Sequence, residues 1–194
     1  MLNRIMGVIT LKAPTYREIA DDKAATTQAA IIVVIATLIQ GFFQGLVKVG
    51  QQGAVSVHVG NAIIGAILGV ILGLIAWLFT SWVLAFVAGA LGGKTNTGEM
   101  MRVTGYVQVF SLVSVLSVLV LITPLLGCLT GLVGLIVAIL SLIGYLIGVR
   151  EAAEFTTGKA FVTAIVAAIV NFIIIVVIGG AIVAAVVAAL ALAS

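Results

Sequence analysis

The chain has 194 residues, 63% of them hydrophobic and only 8% charged, with a mean hydropathy of +1.41. A soluble domain carries roughly 25% charged residues, so this composition excludes a water-soluble globular fold and points to a polytopic membrane protein. A net charge of +3 with a pI near 9.3 does not indicate a nucleic-acid partner; nine cations on such a chain read as orientation signals.

In chain order, residues 1–13 carry Leu2, Ile5, Met6, Ile9 and Leu11 among Asn3, Arg4 and Lys12. That apolar run is too short and too interrupted for a signal peptide, and its spacing predicts an amphipathic segment along the membrane interface. Pro14 ends it, and "PTYREIADD" restarts a helix near Pro14 or Thr15. Residues 1–23 are thus expected to be a cytoplasmic interfacial segment, and 24–194 a transmembrane domain.

Apolar runs long enough to cross about 30 Å of hydrocarbon, which takes about 20 helical residues, fall at 24–46, 61–90, 103 to before Pro124, 127–149 and 160–190. No strand alternation is seen. The expected fold class is all-α, a membrane helix bundle with five transmembrane helices and a short interfacial N-terminal helix. The fifth run contains Gly179-Gly180, where a break or bend is expected, leaving residues 181–194 as an extension or a separate short helix.

Three connecting segments hold eight of the nine cations: Arg4, Lys12, Arg17 and Lys23, then Lys94 and Arg102, then Arg150 and Lys159. Lys48 alone falls on the other side. Short loops rich in Lys and Arg stay cytoplasmic, so the N-terminus is expected inside and the C-terminus outside. The acids Glu18, Asp21, Asp22, Glu99, Glu151 and Glu154 lie on the cytoplasmic side too.

The stretch "LGGKTNTGEMMRVTGY" is the longest polar interruption in the middle of the chain. Its Gly-Gly-Lys-Thr resembles the end of a phosphate loop, which needs G-x-x-x-x-G-K-[ST] after a strand. The first glycine would fall at position 88, which is Ala88, and an apolar helix precedes it, so no nucleotide is expected. Gly92-Gly93 instead reads as a helix stop, and Asn96 three residues before Glu99 as a capping box. Glu99, Arg102 and Tyr106 share a helical face and, with Lys94, form a candidate cytoplasmic docking face for an anionic headgroup or acidic partner.

Gly-Gly-Lys, a following Glu, "RVTGY" leading into an apolar helix, and "GVREAAEFTTGKA" before the last helix together resemble the Yip1 domain family over nearly the whole chain. The resemblance implies five spans with the N-terminus inside. Eukaryotic members handle small GTPases and vesicle traffic and carry a long cytoplasmic N-terminal region with an Asp-Leu-Tyr-Gly-Pro motif. This sequence has neither, so it looks like a short prokaryotic-type member, placed in the cell membrane.

Within the spans no charge is found. The polar residues are Gln40 and Gln44, Gln108, a Ser111–Ser114–Ser117 stripe, and Asn171. They fit interhelical hydrogen bonds or, alternatively, a path for a small neutral solute past Gln40, Gln44 and Asn171. Gly65, Gly69 and Gly73 form a tandem G-x-x-x-G row for close helix packing; Gly41 with Gly45, Gly127 with Gly131 and Gly144 with Gly148 repeat the spacing.

One cysteine, Cys128, permits no internal disulfide. One histidine, His58, is too few for a metal site, and no nucleophile has a base and an orienting acid. No cofactor is expected. The expected function is a non-enzymatic membrane scaffold or accessory subunit contacting the bilayer and other membrane proteins or a second copy of itself. The alternative is a transporter or channel for a small solute or lipid.

The charge asymmetry makes a direct prediction. On a Cys128→Ala background, cysteines at Asn96 and Ser56 should label from opposite sides of the membrane, Asn96 only from the cytoplasm. Labelling of both from one side would contradict the five-span topology.

Overall fold

The computed structural model describes residues 1–49, 55–121 and 126–193. Two short helices, α1 (Leu2–Ile9) and α2 (Ala13–Asp21), lead into α3 (Ala25–Leu46). A two-stranded antiparallel hairpin, β1 (Val47–Val49) with β2 (Val55–Val57), connects to α4 (Val59–Ala90). Then come α5 (Thr97–Val107), a 3-10 helix (Gln108–Leu121), α6 (Leu126–Ala153) and α7 (Thr157–Ala193).

Among the described residues, four helices are long and apolar enough to cross a membrane: α3, α4, α6 and the part of α7 at Thr157–Ile174. Their outward faces are Ile, Leu, Val and Phe, including Ile64, Leu72, Leu135, Leu142 and Phe172. A lipid-facing surface has this character because hydrocarbon, unlike water, needs no polar covering. The chain is therefore an integral, multi-pass membrane protein.

The expected third span departs from a plain α-helix. Only 11 residues, Thr97–Val107, are α-helical, and the next 14, Gln108–Leu121, are 3-10. A 3-10 helix repeats every three residues and eclipses side chains at i and i+3. The serine stripe has that spacing, so Gln108 and Ser111 share a row; the side chains of Ser114 and Ser117 lie outside the described residues. The hairpin is a second departure, three residues per strand, which is too short to show alternation. At Gly179-Gly180, α7 continues as one helix to Ala193.

Pro14 stands in the first turn of α2, where its missing N–H costs nothing and its φ suits the helix. Leu11, with φ 56°, closes α1 in the left-handed region, and the Lys12 amide donates back to the Gly7 carbonyl at 2.9 Å. Gly7 lets α2 cross closely: a Cβ there would overlap Thr15.

Packing of α3 on α4 is backbone against backbone. A Cβ on Gly41 would overlap the Gly65 carbonyl, one on Gly65 the Gly41 carbonyl, and one on Gly45 the Asn61 carbonyl. Further along, a Cβ on Gly69 would lie 2.8 Å from the Thr37 carbonyl oxygen, and one on Gly73 would meet the Thr37 side chain. On α6, Gly144 lies under the Tyr16 hydroxyl and Gly148 under Val103, whereas Gly131 faces open space. At the α4–α5 contact, the Trp77 indole N–H donates to the Met101 carbonyl and to Thr104 Oγ1, both at 3.1 Å. Ser81 and Thr104, both buried, pair at 3.0 Å.

These contacts separate two classes of glycine. Gly41→Ala should lower thermal stability in detergent by about 1–3 kcal/mol, the usual cost of overpacking, while Gly131→Ala should stay within about 0.5 kcal/mol of the parent. Equal unfolding temperatures for the two variants would contradict the α3–α4 contact.

Candidate functional site

The polar stretch 91–106 is a helix stop followed by a helix start. Gly92 has φ +81°; its amide donates to Gly89 at 3.0 Å and that of Gly93 to Ala88 at 2.9 Å. This paired pattern satisfies the last carbonyls of α4, and Gly92 adopts the left-handed turn without the penalty a Cβ would bring. Asn96 then caps α5: the Glu99 amide donates to Asn96 Oδ1 at 3.0 Å, and the Asn96 amide returns to Glu99 Oε2 at 3.3 Å. Lys94 follows the end of a helix and not a strand; its amide donates to the Ala153 carbonyl at 3.2 Å.

Arg102 points inward, 7% exposed. Its Nε and Nη2 donate to the Ala20 carbonyl at 2.9 and 2.5 Å, with Nη1 3.5 Å from Thr26 Oγ1. Ala20 lies in the last turn of α2, where unpaired carbonyls and the helix dipole both favour a cation. Tyr106 is buried too, and its hydroxyl donates to Gln28 Oε1. The docking face expected from Lys94, Glu99, Arg102 and Tyr106 therefore does not form as an exposed surface. Lys94 is exposed, Glu99 is engaged in its own cap, and Arg102 and Tyr106 hold α2 and the start of α3 to α5.

Around this junction the charged segments interlock. Arg4 pairs with Glu18 and Asp22 at 2.9 and 2.7 Å, joining α1 to α2. The Arg4 guanidinium, and then the Ala24 amide, hold the Asp22 carboxyl below its ordinary range. A depressed carboxylate contributes stability that is complete above its ordinary value of 3.8 and is lost as pH falls through the folded value. Arg17 reaches from α2 to the end of α6, donating to the Glu151 carbonyl at 3.0 Å and to Glu154 at 2.8 Å. Glu154 has φ 55°, a conformation that costs a residue with a Cβ roughly 1 kcal/mol. Tyr16 inserts between these helices against Gly144 and donates to the Val8 carbonyl at 3.1 Å. Lys159 Nζ lies 3.4 Å from the Leu91 carbonyl. The N-terminal, 91–96 and 150–159 segments thus form one continuous surface at one end of the bundle.

Deeper in the bundle is a cavity of about 380 Å³. From α3 it is lined by Thr37 and Gln40, and from α4 by Gly73, Ala76, Trp77 and Thr80. The α5 and 3-10 segment contributes Thr104, Val107, Gln108 and Ser111, and α6 contributes Ser141 and Tyr145. None of these is charged.

The Yip1 domain matches residues 6–179. The chain belongs to the Yip1 domain family. No curated protein and no solved structure matches it. The Yip1 match begins within α1 and covers the cavity and the charged end from Met6 onward.

Of the intramembrane polar residues singled out in this Yip1-family chain, Gln40 lines the cavity, while Gln44 is exposed and Asn171 lies elsewhere on α7. Thr80, Ser141 and Tyr145 were not legible as site residues. Hydroxyl side chains are common in apolar helices, and of the cavity residues the sequence marked only Gln40, Gln108 and, in the serine stripe, Ser111. Among the described residues no group of three or more His, Cys, Asp or Glu could hold a metal ion.

The Arg102 junction predicts graded losses. Arg102→Ala leaves a buried carbonyl unpaired and should cost about 2 kcal/mol, seen as a lower unfolding temperature; Arg102→Lys should recover part of it. If Arg102→Ala unfolds with the parent, the guanidinium does not hold α2.

Proposed function

We propose that this Yip1-family membrane protein is a non-enzymatic scaffold or accessory subunit of a larger membrane complex. The observation that supports this reading is the fusion of three charged segments into one surface, with Arg102, Arg17 and Tyr16 fixing two short helices to the bundle. A preformed surface binds a partner without first ordering itself, which lowers the entropic cost of association.

In this reading the charged end is cytoplasmic, with the N-terminus inside and the C-terminus outside, and residues 1–23 form an interfacial segment ahead of the transmembrane domain. A fifth crossing is supplied by α5 and the 3-10 helix. The α6 helix returns to the same end at which α5 begins, since the 91–96 segment bonds to Ala153. That return supports residues 97–121 as the segment that carries the chain across. At rises of about 1.5 and 2.0 Å per residue they reach about 44 Å, against about 30 Å of hydrocarbon. Lys12, Lys23 and Lys94 stand exposed on this end and fit an acidic partner surface.

Purification from native membranes in mild detergent should yield a complex with another membrane protein or a second copy. Lys23→Ala with Lys94→Ala should release the partner without changing the unfolding temperature, because neither side chain supports the fold. A solitary monomer from native membranes, or a partner kept unchanged by the double variant, would sink the scaffold reading.

A further inference from the structure

Five cavity side chains have no hydrogen-bond partner among the described residues: Gln40, Thr80, Gln108, Ser141 and Tyr145. Ser111, by contrast, is satisfied by the Gln108 carbonyl at 2.7 Å, and Thr37 by the Val33 carbonyl at 2.7 Å. An unpaired polar group away from water costs about as much as a lost hydrogen bond, and a membrane-spanning bundle has no bulk water nearby to repay it. Five such groups, each half-buried, come from four helices onto one space and favour an occupant that pairs with them.

Three features define its chemistry. Two carboxamides and three hydroxyls each donate and accept, which matches hydroxyl groups that do the same. No charged residue lines the space, so an ion would enter without a counter-charge, at a high desolvation cost. The volume of about 380 Å³ lies within the ligand-pocket range of about 300–1,000 Å³. Ala76, on the wall, is itself exposed on the flank of α4, so the cavity communicates with the membrane-facing side of the bundle.

We infer that the cavity is a binding site for a neutral, hydroxyl-rich group, either a free polyol or the hydroxyl headgroup of an uncharged lipid, held by Gln40, Gln108, Thr80, Ser141 and Tyr145. This site is independent of the cytoplasmic surface and does not rest on the scaffold reading.

Trp77 lies on the cavity wall and is the sole tryptophan left after Trp82→Phe, since the chain has 2. In nanodiscs, acrylamide, a small neutral amide, should quench Trp77, and iodide, a charged quencher, should not. Glycerol in the buffer or dioleoylglycerol in the bilayer should protect Trp77 saturably, and glycerol 3-phosphate should not. Protection by glycerol identifies the free polyol as occupant; protection by dioleoylglycerol alone identifies the lipid headgroup. Gln40→Leu with Gln108→Leu should weaken the protection about tenfold. Thr80→Val with Ser141→Ala, a smaller change in shape, should weaken it in the same direction if the first pair fails to fold. Quenching that no polyol or lipid relieves makes the space a water-filled gap and overturns the proposal. Equal protection by glycerol 3-phosphate, equal quenching by iodide, or no quenching by acrylamide overturns it as well.

Discussion

The charged end of the bundle depends on one interaction, the Arg102 guanidinium on the Ala20 carbonyl. A cation this deeply buried is expensive unless its hydrogens are satisfied. Here the last turn of α2 satisfies them, because its carbonyls lack partners within the helix. The exchange is mutual: α2 gains a cap for its end, and α5 gains a place for its charge. With α2 held, Tyr16 sits over Gly144, Arg17 reaches Glu154, and Arg4 brings α1 along. The exposed ion pairs alone would not do this, since each contributes only about 0–1 kcal/mol.

The α5 helix is where the two halves of the molecule meet. One of its faces presents Arg102 and Tyr106 to α2 and α3, and another presents Thr104 to the cavity and to Trp77. Gly105 allows the closeness, since a Cβ there would lie 2.7 Å from the Ala29 Cβ and 3.1 Å from Trp77. The following 3-10 stretch carries Gln108 and Ser111 along the cavity in a single row.

Much of this was legible in the sequence, for identifiable reasons. Membrane helices announce themselves by long apolar runs, because hydrocarbon admits little else. The stop at Gly92-Gly93 and the cap at Asn96 and Glu99 are local chemistry, readable over a few residues. Spacing also placed Arg102 and Tyr106 on one helical face, but not which way that face turns. The partner of Arg102 is a main-chain carbonyl 82 residues away, and carbonyls are invisible in a sequence. Leu11 and Glu154 adopt left-handed turns without glycine, so nothing local marks them. The 3-10 helix defeated the expectation of a uniform third span because its apolar residues suit either helix type. Its only trace was a polar spacing of three.

A platform fixed to the bundle is most directly tested by amide hydrogen exchange in lipid nanodiscs, comparing α2, residues 13–21, with the C-terminal half of α6. Protection in α2 close to that in α6 is the expected result, since Tyr16 and Arg17 tie α2 to α6 and Arg102 ties it to α5. Exchange in α2 as fast as in the 94–96 connection would mean that the N-terminal helices come and go, and that the bundle has no fixed charged surface to offer a partner.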